Sequence, residues 1–149
     1  MLYGEYEPEV LKKLQSVERM MLKDFNLLCQ KYNLKYFAGG GTAIGAVRHH
    51  GMIPWDDDID LNMLREDYEK FLEVAEKEYG DKYYILNARK YDGYPSMNTR
   101  WCLKGTAFVE NCMKDCNLPF GIFLDVFCFD PIPNDPPQGD LKQALQWDR

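Results

Sequence analysis

Apolar residues recur at three- and four-residue steps through Val10, Leu14, Val17, Met21, Phe25, Leu28 and Tyr32. That spacing predicts one face of an amphipathic helix over 8–32, with Pro8 in its first turn and Asn33 as its stop. Leu64, Tyr68, Phe71, Ala75 and Tyr79 repeat the period, with Glu66 and Asp67 in the first turn and Gly80 at the end, so a second amphipathic helix is expected over 64–79. Between them, 36–38 reads as a short buried strand and 42–48 as a short helix. Later stretches lose the helical period. Residues 82–87, 97–103 and 121–130 read as strands, and Lys104-Gly105 as a hairpin turn into a further strand over 106–110. Helices interleaved with strands predict an α/β fold, a mixed β-sheet with helices packed on it.

One stretch breaks the pattern of packing residues. Gly39-Gly40-Gly41 is followed, after the short helix, by Asp56-Asp57-Asp58-Ile59-Asp60-Leu61. In an extended chain Asp58 and Asp60 project to one face while Ile59 and Leu61 enter the core. Two neighbouring carboxylates repel, and a divalent cation relieves that repulsion; Mg²⁺ takes one or two protein carboxylates together with substrate phosphate oxygens. The expected site therefore pairs the Asp face with the glycine turn, where backbone N–H groups of Gly40 and Gly41 and the Thr42 hydroxyl would meet phosphate at a helix start. Arg48, one turn past Ile44, is a candidate brace for a phosphate or for the carboxylates. Asp56 shares the phase of Asp58 and Asp60 and is a candidate third ligand or support. Asp57 points the other way and is expected to be structural, and Trp55 is expected to pack beneath the site.

Competing readings of this run are weaker. A solvated acidic loop does not explain the alternation with Ile59 and Leu61. An EF-hand starting at Asp58 would place Met63 where the tight turn needs glycine, and Arg65 inside the cation loop. His49 and His50 are adjacent, so they are read as exposed loop residues rather than ligands. Farther along, Asp125 is the one carboxylate inside the apolar run that starts at Gly121 and ends at Asp130, where an unpaired charge is costly. It is either paired, coordinated or functional. Arg100 either neutralises donor phosphate or makes an ordinary cross-strand ion pair.

Composition narrows the class. The chain has 149 residues, enough for one domain with its own core, and a net charge of −6 that argues against nucleic-acid binding. Five cysteines without an evident secretory leader favour a reducing, cytoplasmic compartment, and the spacing of Cys112 and Cys116 lacks the paired pattern of a zinc site. No run approaches a membrane span, so contact with a membrane-borne acceptor is expected to be peripheral.

Three short motifs occur in order and closely spaced: Gly-Gly-Thr-Ala-Ile-Gly-Ala-Val-Arg at 40–48, Ile-Pro-Trp-Asp-Asp-Asp-Ile-Asp-Leu at 53–61, and Arg-Glu-Asp-Tyr at 65–68. Together they resemble the signature of the LicD/fukutin family of phosphotransferases, whose catalytic domain has the nucleotidyltransferase superfold. The resemblance runs over about 36–135. It divides the single expected catalytic domain, 1–149, into an N-terminal helix at 1–35, a catalytic core at 36–130, and a loop and helix start at 131–149. Family members usually continue with further helix, so a chain cut short at its carboxyl end is expected. The resemblance implies Mg²⁺- or Mn²⁺-dependent transfer of a phosphorylated alcohol, such as phosphocholine, from a CDP-linked donor to a sugar hydroxyl of a cell-surface glycan. It implies a third carboxylate on a neighbouring strand, and Leu-Asp-Val-Phe-Cys at 124–128 is similar to the family's Ile-Asp-Ile-Phe-Pro with Cys128 in place of proline. Asp58, Asp60 and Asp125 are then the metal and catalytic residues, with Asp125 completing the metal shell or taking the acceptor's proton. Gly40, Gly41, Thr42, Arg48 and Arg100 are the substrate-binding candidates, with Arg100 and Thr106 matching the family's basic residue and threonine. A nucleotidyltransferase releasing pyrophosphate and a non-catalytic metal- or nucleotide-binding module are the alternatives.

Overall fold

The computed structural model describes residues 6–132. Helix α1 runs Pro8–Tyr32 and ends at Asn33, whose left-handed backbone (φ 53°) lets its N–H reach the last-turn carbonyls. Then follow β1 (Phe37–Ala38), α2 (Gly40–Arg48), β2 (Asp60–Leu64), α3 (Arg65–Tyr79), β3 (Tyr83–Leu86), β4 (Thr99–Leu103), a 3₁₀ turn at Asn111–Met113, and β5 (Phe123–Phe129). The five strands form one sheet in the order β1-β2-β5-β4-β3. Only β2 and β5 are parallel, so the sheet is mixed and the fold is α/β.

Side-chain alternation gives the sheet two different faces. Leu61 and Met63 of β2, Leu124 and Val126 of β5 and Trp101 of β4 are buried with Phe25 of α1 and Phe71 of α3. Trp101 is the hub of this core, with ring centroids 5.8 Å from Phe25, 6.1 Å from Phe71 and 4.0 Å from Tyr83. On the opposite face, Cys102 and Phe123 form a smaller core with Leu86, Tyr94, Met113 and Phe120. The segment between β4 and β5 covers this second core.

Four expectations need correction. Residues 106–110 are not a strand: β4 already pairs with β3 and β5, and the Thr106 hydroxyl instead accepts from Ile122 N–H at 2.9 Å to pin the return to β5. The strand near residue 37 is at the sheet edge, and Phe37 is exposed rather than buried. Helix α2 begins at Gly40, two residues before the expected start, because Gly39 is extended and its carbonyl accepts the first helical bond from Ala43. Trp55 is 74% exposed and does not lie beneath the site; its ring meets His49 edge-on. Beyond Ile132, the expected loop and helix at 131–149 fall outside the described residues.

Candidate active site

The site forms where the sheet's two central parallel strands meet the start of α2. Asp60 and Asp125 are direct neighbours across β2 and β5, and Asp125 is in turn opposite Arg100 across β5 and β4. Asp58 lies two residues before Asp60 on the same extended approach, where Asp125 N–H already donates to Ile59 O at 3.0 Å. Side-chain oxygens of Asp58, Asp60 and Asp125 come within 4.8 Å of one another. The alternation expected from sequence thus delivers the carboxylates to one face, while Ile59 and Leu61 are buried behind them.

The glycine turn closes the opposite side. Gly40 has φ +41°, and a Cβ there would overlap Asp60 Oδ2; one on Gly41 would lie 2.6 Å from Asp56 Oδ2. The start of α2 is therefore pressed against the acidic cluster, and its first three amides, those of Gly40, Gly41 and Thr42, have no carbonyl below them to bond. Thr42 Oγ accepts from Asp60 N–H at 2.8 Å, fixing the carboxylate strand to the helix start, and keeps its own O–H to donate. Gly39 N–H donates to Asp60 O at 2.9 Å and completes that clamp. Arg48 is exposed in the last turn of α2, about 12 Å of helix from Gly40, and makes no ion pair among the described residues.

Asp125 is buried, and its two oxygens have different surroundings. Oδ1 accepts from Asn98 Nδ2 at 2.5 Å and Arg100 Nε at 3.2 Å. Among the described residues no donor reaches Oδ2, which leaves it free for a ligand. Arg100 makes the cross-strand ion pair and is 4% exposed: it also pairs with Glu110, donates to Met113 Sδ, and stacks 3.8 Å from the Phe123 ring centroid. Arg100 is held inside the fold and supports Asp125 from behind. Arg100→Met is expected to destabilise the chain by about 3–5 kcal/mol in a denaturant titration, because it strips the buried Asp125 of its counter-charge.

Burial and mutual repulsion set the electrostatics. Burial, then Asp60, Asp56, Asp57 and Asp125, push the Asp58 carboxyl up to about 7. Asp125 rises to about 7 through burial, against the opposing pull of Arg100. Asp60 is raised by burial and by Asp56. Such a cluster fits a small hard cation, since every donor atom is a carboxylate oxygen. No cluster of potential metal ligands among the described residues contains a cysteine or histidine.

Residues 33–120 match the family model described as LicD/FKTN/FKRP, nucleotidyltransferase domain. The chain belongs to this family. It is 35% identical over 134 residues to the lipopolysaccharide cholinephosphotransferase LicD of Haemophilus influenzae, covering 85% of this chain and 46% of that protein. It is 44% identical over 63 residues to an uncharacterized protein of Rickettsia typhi, covering 42% of this chain and 20% of that one. A shorter stretch of 34 residues is 47% identical to the ribitol 5-phosphate transferase FKRP of Homo sapiens, covering 23% of this chain and 7% of that protein. The chain thus spans just under half the length of the Haemophilus protein and a fifth or less of the other two.

Within this LicD/FKTN/FKRP domain, the matched region holds the glycine turn, Asp58, Asp60 and Arg100, but ends before Asp125. Sequence reasoning missed three residues that position the acids. Gln15 of α1 donates from Nε2 to the carbonyls of Ile53 (3.3 Å), Pro54 (3.4 Å) and Asp56 (2.8 Å), seating the acidic loop on the helix. Tyr6 donates to Asp57 Oδ2 at 2.7 Å, a tether that agrees with a structural task for Asp57. Asn98 holds Asp125 as described. Gln15 had a visible signal, for it is a polar residue next to Leu14 on the buried stripe of α1. Asn98 had none, because its partner is set by strand register.

Proposed function

We propose that the domain transfers a phosphorylated alcohol from a CDP-linked donor to a sugar hydroxyl, with a divalent cation, Mg²⁺ or Mn²⁺, held by Asp58, Asp60 and Asp125. The observation that carries this reading is the convergence of three carboxylates from two parallel strands and their approach loop against an unpaired helix start. When bound, the cation would neutralise the acid cluster and draw charge from the phosphoryl oxygens. The amides of Gly40, Gly41 and Thr42 would bind the donor's phosphates, favoured by the positive end of the α2 dipole. In the transfer, the acceptor hydroxyl oxygen bonds to the phosphorus that carries the alcohol, and the bond from that phosphorus to the bridging oxygen breaks. CMP departs with the bonding pair. The hydroxyl proton passes to Oδ2 of Asp125 or, with that oxygen on the cation, to solvent.

A phosphocholine-like group and a glycan acceptor such as a lipopolysaccharide or teichoic acid precursor are the expected substrates, supported by the activity named for the Haemophilus relative. No helix among the described residues is long and apolar enough to cross a membrane. A cytosolic CDP donor and a membrane-borne acceptor would bring the domain to the cytoplasmic face as a peripheral protein. Incubation with CDP-choline, Mg²⁺ and candidate glycans should release CMP in step with acceptor labelling. Pyrophosphate released from CTP would instead identify a nucleotidyltransferase. Saturable nucleotide binding without any product would leave a binding module.

A further inference from the structure

Negative charge is missing from one long stretch of an acidic chain. The sequence has 24 aspartates and glutamates and a net charge of −6, yet none of them falls between Asp24 and Asp56. The cations of that stretch are Lys31, Lys35 and Arg48, with His49 and His50 following. Lys31 is neutralised by Glu78, whereas Lys35 and Arg48 are exposed and have no carboxylate partner among the described residues.

Helix α2, near the end of this stretch, has two unlike faces. Gly41 and Gly45 face inward, Gly41 against Asp56 and Gly45 against the backbone of Gly51 and Ile53. Ile44 and Val47, three residues apart, share the outer face, and Arg48 lies one turn from Ile44. Ile44 is 48% and Val47 78% exposed, so among the described residues nothing covers them. The exposed Trp55 indole stands at the end of the helix, its ring centroid 5.9 Å from that of His49. Aliphatic side chains, an indole and an unpaired cation thus share one surface.

The boundary between lipid headgroups and acyl chains suits each part of that combination. Aliphatic groups enter the apolar layer, an indole sits at headgroup level, and cations meet anionic phosphates. A protein partner fits less well, because three apolar side chains of at most about 250 Å² each fall short of the roughly 800 Å² that each member of a stable complex buries. We propose that Ile44, Val47 and Arg48 of α2, together with Trp55, seat the domain on an anionic phospholipid surface. The purpose of this seat rests on the proposed transfer to a membrane-borne acceptor, but the seat itself is a property of the surface. Ile44 is only about 6 Å along the helix from Gly40, so docking holds the carboxylate site beside the headgroups.

Co-sedimentation of the full chain with vesicles at low salt, without donor, acceptor or divalent metal, tests it. Binding is expected to phosphatidylcholine vesicles that contain phosphatidylglycerol and not to phosphatidylcholine alone, and it should weaken as salt rises. Val47→Asp and Trp55→Ala should lower the partition coefficient by about tenfold or more, and Arg48→Gln by about fivefold. Leu27→Asp, an equal charge change at an exposed position of α1, should leave it nearly unchanged. Val47 and Trp55 are exposed, so their variants should melt with the wild type. No binding to the anionic vesicles, or equal binding by Val47→Asp and Trp55→Ala, would overturn the proposal. A dimer in sedimentation equilibrium that Val47→Asp dissociates would overturn it too, since a second copy would then cover the face. No turnover is read, so failure of the transferase reading would leave the vesicle result in place. Failure of docking would likewise leave CMP release with a soluble acceptor in place.

Discussion

Asp60→Asn is expected to lower transferase turnover by at least about a thousandfold, or roughly 4 kcal/mol of barrier, while the metal-free chain melts no lower than the wild type. The change keeps the shape of the side chain and its strand register opposite Asp125. It removes one negative charge from the three that would hold the cation. The fold does not need that charge: the backbone of Asp60 is held by Thr42 Oγ and Gly39 N–H, which an asparagine retains. Asp58→Asn should act in the same direction, since burial and its carboxylate neighbours already oppose its ionisation. Turnover, divalent-ion affinity and melting temperature measured on the same samples separate a lost site from a lost fold. Wild-type turnover in Asp60→Asn would remove this residue from the chemistry.

In the presence of a chelator, stability should fall as the pH rises from 5.5 to 8. Asp58 and Asp125 titrate at about 7 in the folded chain, and Glu18 at about 9, whereas unfolded carboxyls titrate at about 4. Between those values the folded state binds more protons than the unfolded state, so stability declines through the window. Asp24, Glu69, Glu78 and Asp130 are shifted the other way by cationic partners, and their contribution is lost only as the pH falls below the ordinary carboxylate range. The two effects do not overlap. The melting temperature should drop by roughly 5 °C or more across the window, and millimolar Mn²⁺ should shrink or reverse the drop. A flat or rising profile with chelator would mean that the acid cluster is better solvated than its burial implies.

Local pattern made much of this site legible. Alternation through Asp58, Ile59, Asp60 and Leu61 foretold which side chains share a face, since that depends only on an extended backbone. Asp125 stood out because nothing else in its strand is charged. Pairings between distant segments were beyond reach of the pattern. Opposite Asp125, Arg100 occupies the position that register alone assigns, and it holds Asp125 where a phosphate contact was also open. Helix α1 was read as scaffold from its apolar stripe, yet Gln15 interrupts that stripe and seats the acidic loop. Trp55 shows the converse: a large apolar ring beside the acids looked like packing, but the loop turns it outward.

The most direct measurement is an anomalous difference map from crystals soaked in Mn²⁺. The account predicts a peak enclosed by the carboxylates of Asp58, Asp60 and Asp125, facing the amides of Gly40 and Gly41. Manganese bound only elsewhere on the chain, with those three carboxylates bare, would contradict it.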